Sequence, residues 1–283
     1  MNKKSRAAIL FLAAAFVFSG IYLYYENNSL QKSEYVIRSK KLPQGFCGFK
    51  IAHISDYHNS KSEKLAESLA EETRKSKPDI IVVTGDLIDS RHTNIKNSIK
   101  LIKIISEIAP IYYVPGNHEA RIPEEYQKLK TSLEENGVTV LENKAVSIFR
   151  DGSEILLLGI ADPLSANEPY VPDSEIVKTE LQSIKNDKDT FKIILSHRPE
   201  LFEEYKSRKI DLVFAGHAHG GQLILPLVGS VYAPNQGLFP KYTAGVFNES
   251  GTAMVVSRGI GNSLFPFRVN NRPELVITVL EKV

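Results

Sequence analysis

Short β-branched apolar runs alternate with amphipathic helical segments along most of this chain, and that alternation predicts an α/β fold. Two further observations add to the expectation. The apolar runs are nearly continuous, as in sheets covered on both faces. An uncharged apolar segment of bilayer-crossing length precedes them all.

That first segment runs from Ala7 to Tyr25, behind Lys3, Lys4 and Arg6. Basic residues on its N-terminal side and Tyr22, Tyr24 and Tyr25 at its far end predict a single-pass anchor over residues 1–25, with the N-terminus inside and the body outside the cytoplasm. Secretion after signal cleavage is the alternative, but the small-residue cluster Ala13–Ala15 lies within the apolar run and not after it. Residues 26–48 follow as a tether, polar from Glu26 to Lys41, and residues 49–283 as one body without repeat or low-complexity segment.

Within that body the strand candidates are Phe49–Ile54, Ile80–Thr84, Ile111–Val114, Ile155–Ile160, Phe191–Ser196 and Leu212–Ala215. Helical spacing is found over Glu63–Lys75, Asn94–Ile108, Glu124–Asn136 and Asp173–Lys185. After Gly220 the chain is broken by Gly and Pro into short segments and ends in the strand-like Leu275–Leu280.

Composition narrows the chemistry. Lys plus Arg exceed Asp plus Glu by only two, 35 against 33, so nothing points to a nucleic acid partner. Cys47 is the only cysteine, which excludes an intramolecular disulfide and a cysteine-based zinc site. It reads as a small packing residue or an unreactive thiol. Any metal must be held by oxygen and nitrogen.

The residues that can do so stand just after the strands. Asp56 and His58 follow the first, Asp86 the second, Asn117 and His118 the third, His197 the fifth, and His217 and His219 the sixth. Beyond the carboxyl ends of strands in an open α/β sheet, distant loops converge on one crevice. An isolated Asp there is usually a cap or turn residue, and a lone His a satisfied polar group. Five of the seven histidines occupy such positions, however, and the combined set offers hard oxygens and imidazoles suited to zinc, manganese or iron. His53, within a strand, and His92, in a loop, read as non-catalytic.

The motifs Ser55-Asp56-Tyr57-His58, Gly85-Asp86-Leu87-Ile88-Asp89, Gly116-Asn117-His118-Glu119, Ser196-His197-Arg198-Pro199 and Gly216-His217-Ala218-His219-Gly220-Gly221-Gln222 together resemble the calcineurin-like metallophosphoesterase superfamily. The similarity runs from about Phe49 to the end, through Ser257-Arg258-Gly259 and Arg272-Pro273-Glu274, and the sequence resembles the membrane-associated bacterial branch typified by YkuE and YaeI. Tyr57 stands where the family motif carries Leu, and Ala218 where Thr is usual; neither removes a candidate ligand. Lys3-Lys4-Ser5-Arg6 lacks the twin-Arg pair found ahead of the apolar segment in some relatives.

The resemblance implies a four-layer αββα sandwich of two mixed sheets flanked by helices. It implies two divalent transition-metal ions (Mn, Zn or Fe), one held by Asp56, His58 and His219, the other by Asn117, His197 and His217, with Asp86 bridging them. His118 would be the general acid toward the leaving group and Asp89 would orient it, although Asp89 is equally a turn or cap residue. Arg198, Arg258, Arg268 and Arg272 are either phosphate-gripping or structural. The implied activity is hydrolysis of a phosphomonoester, phosphodiester or pyrophosphate bond at the membrane surface, in a lipid-linked or cell-envelope substrate such as UDP-diacylglucosamine. A phosphatase or nucleotide phosphodiesterase acting on a soluble substrate is the alternative. A metal-binding pseudoenzyme is a further one, disfavoured because Asp86 and His118 are both present.

Overall fold

The computed structural model describes residues 3–184, 189–262 and 265–283. Helix α1 (Lys3–Asn28) is followed by strands β1 (Gln31–Ser39), β2 (Lys50–Ile54), β3 (Ile80–Thr84), β4 (Ile111–Val114) and β5 (Thr139–Val140). Between the last four lie helices α2 (Glu63–Ser76), α3 (Ile95–Ser106), the single turn α4 (Asn117–Ala120) and α5 (Pro123–Glu135). The second half carries β6 (Lys144–Arg150), β7 (Ser153–Gly159), α6 (Asp173–Ser183), β8 (Phe191–Leu195), α7 (Phe202–Ser207) and β9 (Leu212–Ala215). Two short hairpins follow, β10 (Ile224–Leu225) with β11 (Gly229–Ser230), and β12 (Tyr232–Ala233) with β13 (Gly237–Leu238). Strands β14 (Gly245–Glu249), β15 (Thr252–Val256) and β16 (Glu274–Lys282) complete the chain.

These strands form two mixed six-stranded sheets, ordered β1-β16-β2-β3-β4-β5 and β14-β15-β9-β8-β7-β6. Alternation along each strand divides its side chains between two faces. Ile51, Ile80, Val82 and Val276 of the first sheet pack with Leu157, Ile193, Phe214 and Val255 of the second in one buried cluster. The opposite faces are covered by helices: Ala52, Ile81 and Val83 meet Leu69, Leu101 and Leu133, while Leu158, Ile194 and Val213 meet Val177, Leu181 and Phe202. The result is the α-β-β-α layering that the resemblance implied.

Local signals set the helices. The Ser62 side chain accepts from the Leu65 amide at the start of α2, and Asn94 does the same for Asn97 at the start of α3. Pro123 opens α5, where its missing N–H has no intrahelical partner to lose. The expected elements all form, with boundaries displaced by a few residues, as for Asn94–Ile108 against α3. Lys185, the expected end of the fourth body helix, lies outside the described residues.

Two expectations need correction. The stretch read as a polar tether contains β1, which runs parallel to β16 from Gln31↔Glu274 to Ser39↔Lys282. Only Ile37 is buried along it, because β1 is a sheet edge, and an edge strand with a wet face carries little apolar signal. Cys47 is exposed, so it is not a packing residue.

Helix α1 is long and apolar enough to cross a bilayer. Its C-terminal end is fastened to the body. The Glu26 carboxylate accepts from the Asn271 amide at 2.8 Å, and Asn27 Oδ1 accepts from the Arg268 amide at 2.9 Å. The Tyr22 hydroxyl meets Asn270 Oδ1 at 2.8 Å.

A chain beginning at Glu26 keeps β1 and the Glu26 and Asn27 contacts, and should fold. A chain beginning at Lys40 loses the whole β1–β16 ladder, and its Tm should fall by roughly 10 °C or more relative to the longer truncation. Thermal melts of the two truncations followed by circular dichroism measure the difference; equal Tm values would make β1 dispensable.

Candidate metal centre

The carboxyl ends of β2, β3 and β4 in one sheet and of β8 and β9 in the other point to the same edge of the sandwich, and each is followed by polar residues that turn inward. Three groups of possible ligands overlap there: Asp56, His58 and His219; His58, Asp86 and His118; and Asp86, His197 and His217. All of these side chains are buried. His219 Nε2 lies 3.2 Å from Asp56 Oδ1 and 3.1 Å from His58 Nε2. His197 Nε2 lies 3.2 Å from Asp86 Oδ2 and 3.2 Å from His217 Nδ1. Asp86 Oδ2 is also 3.8 Å from His58 Nε2, so one carboxylate faces both groups.

The backbone is bent to achieve this convergence. Asp56, His58, Asp86, His217 and His219 all have φ between 47° and 66°, a region disfavoured for side chains with a Cβ. Buried hydrogen bonds hold them: the Asp56 amide donates to Gly85 O, the His58 amide to Asp86 O, and the His217 amide to the Asp56 carboxylate at 3.1 Å. Gly85 has φ +86°, and a Cβ at Gly216 would collide with Ser55 Oγ and Asp56 Oδ2. At these positions only glycine lets the two loops meet.

Burial shapes the charges. It draws His58 down to about 3 and holds His217 and His219 well below the ordinary imidazole range. Burial likewise raises Asp56 to about 6, an effect that His197 only partly offsets. Burial opposes ionisation of Asp86 too, but His197, His118 and His58 outweigh it and keep that carboxyl well below its usual value. His197 is the converse: burial disfavours its cation, yet Asp86 and Asp56 push it up to about 10. His58, His217 and His219, held neutral beside the ionised Asp86, are in the donor forms a divalent cation requires, whereas His197 would have to release its proton for a cation to bind. Asn117 fits the same pattern. Its amide oxygen faces His197 Nε2 at 3.1 Å, whereas hydrogen bonding alone would turn the amide nitrogen toward His197 and His217. Oxygen inward adds a lone pair where imidazole lone pairs already converge.

His118 stands at the opening of the site. The Ser90 amide donates to its Nδ1 at 3.0 Å, which leaves Nε2 as the ring's proton-bearing atom when the ring is neutral. Asp89 approaches Nδ1 at 3.4 Å, but both its oxygens are engaged by Arg91. Burial lowers the His118 pKa, and the charges of Asp86 and Asp89 act against that.

The four arginines singled out from sequence serve the framework. Arg198 pairs bidentately with buried Asp162 at 2.5 and 2.9 Å. Arg268 is buried and donates to the carbonyls of Arg258 and Asn271, its guanidinium 3.5 Å from His219 Nδ1. Arg258 lies against Glu274, and Arg272 donates to Tyr25. The cavity at the site, about 310 Å³, is instead lined by Arg91 and Arg121, together with Ser90, Pro234, Asp86, Asn117, His118, His217 and His219. Sequence reading passed over both; the only signal for Arg121 was its place one helical turn after Asn117. It also passed over Glu119, whose carboxylate accepts from the amides of Asp86, Gly116 and Ile88 at 2.8, 2.8 and 3.0 Å. Burial and the Asp86 charge push Glu119 up to about 8.

Two sheets that deliver acidic and imidazole side chains from their carboxyl ends to one polar cavity define a metal-dependent hydrolase of the phosphoesterase class. The chain belongs to the calcineurin-like phosphoesterase family, which matches residues 49–221 and whose members generally use binuclear divalent metal centres. It is 31% identical over 269 residues to the uncharacterized metallophosphoesterase YkuE of Bacillus subtilis, covering 93% of this chain and 89% of that protein. It is 30% identical over 244 residues to phosphodiesterase YaeI of Escherichia coli, covering 83% and 82%. The crystal structure of TT1561 of Thermus thermophilus shares the fold at a TM-score of 0.52 and 16% identity, over 75% of this chain and 90% of that one. The protein is therefore a metal-dependent phosphoesterase.

Glu119→Ala should orphan three buried amides and cost roughly 3 kcal/mol or more of stability, even in protein stripped of metal. Urea unfolding monitored by circular dichroism tests this. An unchanged midpoint would show that Glu119 does not hold the loops together.

Proposed function

We propose that Asp56, His58 and His219 hold one divalent cation and Asn117, His197 and His217 a second, with Asp86 shared between them, in a phosphoesterase anchored to a membrane by α1. The observation that supports this most is the position of Asp86 Oδ2, within 4 Å of imidazoles from both groups. When bound, such a cation pair supplies Lewis acidity toward phosphoryl oxygens and makes a water molecule acidic enough to attack phosphorus near neutral pH. The two cations can be manganese, zinc or iron, all of which accept mixed oxygen and imidazole ligands.

The chain's own residues do the rest. Arg91 and Arg121 line the cavity with fixed positive charge suited to an anionic phosphate. His118, with its Nε2 proton directed by the Ser90 amide at Nδ1, donates that proton to the departing oxygen. Asp89 acts on His118 through its charge, sustaining a proton affinity that burial alone would reduce. The substrate is a phosphate ester or anhydride, a phosphodiester by analogy with the name of YaeI. The apolar α1 leading straight into the body favours an amphiphilic, lipid-linked substrate at the membrane surface over a soluble one. The charge bias around α1 favours a body outside the cytoplasm.

Chelator treatment should abolish hydrolysis and a divalent transition metal restore it, with Asp86→Asn losing most turnover and metal content; full activity at metal contents below detection would overturn the proposal. His118→Asn should keep its metal yet slow esters with poor leaving groups by roughly 10²-fold or more, and activated aryl esters far less, because a good leaving group departs without a proton. His197→Ala or His219→Ala should lose metal and slow both kinds of ester. Comparing kcat for the two ester classes alongside metal analysis separates these roles. Metal loss in His118→Asn would move that residue to the ligand set.

A further inference from the structure

Between the metal centre and the end of α1 lies a group of large apolar side chains left in solvent. Leu225, Leu227 and Val228 lie in the β10–β11 hairpin, Leu238 and Phe239 in and after β13, and Phe265 and Phe267 in the segment leading to β16. Leu227 is fully exposed, and Leu238 and Phe239 are 69% and 67% exposed. Leu227 and Phe239 also have φ of 67° and 54°, strained for large side chains, so the backbone turns both outward at a cost that packing does not repay. Exposed apolar side chains carried together on hairpins that are hydrogen-bonded to each other mark an interaction site.

Its position identifies the occupant. This step rests on the proposed reading of α1 as a membrane span. If Ala7–Tyr25 crosses the hydrocarbon, Tyr22 lies about 5 Å inside the outer end of the run, at 1.5 Å per residue. Its hydroxyl contacts Asn270 through both the side chain and the amide, at 2.8 and 3.1 Å, so Asn270 is held at the depth of the bilayer interface. Asn270 Nδ2 in turn donates to Ile224 O at 2.9 Å, and the Ile224 amide donates to Val269 O. The strand start at Ile224 is thereby fixed to the same plane, with Leu225, Leu227 and Val228 immediately beyond. The Val231 amide donates to Leu223 O and the Phe239 amide to Val231 O, which joins the second hairpin to the first. That second hairpin carries Asn235, whose Oδ1 lies 3.1 Å from His217 Nε2, and Pro234, which lines the cavity.

We infer that the two hairpins and the Phe265–Phe267 segment dip into the outer face of the bilayer that α1 crosses, so that the mouth of the metal site opens directly onto the lipid headgroups. An amphiphilic phosphate ester then reaches Arg91, Arg121 and His118 laterally, without its acyl chains leaving the membrane. The rim contributes apolar side chains to lipid, while the polar edges of the same hairpins remain at the cavity.

The test uses the full chain in phosphatidylcholine vesicles, in a Cys47→Ser background. Single cysteines at Leu227→Cys, Val228→Cys and, as a control on the β6–β7 hairpin at the opposite ends of the strands, Phe149→Cys carry an environment-sensitive fluorophore. Nitroxide groups on the lipid acyl chains act as quenchers. Each labelled protein is first shown to hydrolyse a water-soluble aryl phosphate ester like the unlabelled Cys47→Ser chain, and to float with vesicles through carbonate washing. Quenching several-fold stronger at 227 and 228 than at 149 is expected. Flotation with equal quenching at all three positions would overturn the insertion of the rim while leaving the anchor intact. Failure to float would overturn the anchor, and the rim proposal with it.

Discussion

The structure depends on a single buried carboxylate. Asp86 follows β3 in one sheet, accepts the His118 amide through Oδ1 at 2.8 Å, and turns Oδ2 toward His197 from the other sheet and His58 from its own. The β-sandwich brings these groups together, and Asp86 stands where they meet. A buried anion without compensation is strongly disfavoured, so the surrounding imidazoles, the Glu119-bound amides and the left-handed turns at Asp56, His58, His217 and His219 all have to be in place around it. The requirement runs in both directions: the loops are strained to reach Asp86, and Asp86 is tolerated because they do.

Much of this was legible in the sequence. Ile80–Thr84 and Ile111–Val114 were found to the residue, because strands buried on both faces are apolar throughout. The candidate ligands were legible because chemistry-bearing residues stood immediately after such strands, and the fold does gather the Asp and His residues among them into three overlapping buried groups. β1 and β14 gave no comparable signal. Each is an edge strand with a partly solvated face, so its composition resembles that of a loop. The functional assignment of arginines was also out of reach. Nothing in Ser-His-Arg-Pro reveals that Arg198 is held by Asp162, some 36 positions earlier, and nothing near Arg121 announces that it lines the cavity. Contacts between residues far apart in sequence decide which arginine is free.

The polar contacts of α1 change how the N-terminal segment is understood. Glu26 and Asn27 reach the loop that also positions Arg268, and the Arg268 guanidinium lies beside His219. The end of the apolar helix is thus linked to a candidate metal ligand through a single intervening residue. Orientation of the body relative to α1 is set by hydrogen bonds, and a flexible linker is not what joins them.

The pairing of β1 with β16 also has a temporal meaning. β16 lies between β1 and β2, so β1 has no neighbour in its sheet until the nine-residue β16, far later in the chain, exists. A nascent chain leaves the ribosome with β1 already held close to α1, while its partner is still untranslated. Loop closure over more than two hundred residues must then place the C-terminal strand into a waiting gap. A chain stopped short of Glu274 holds every strand of the second sheet but cannot close the first. Completion of the sheet therefore reports that translation has passed β16, and a product interrupted before it is left with unpaired edges for proteases to recognise.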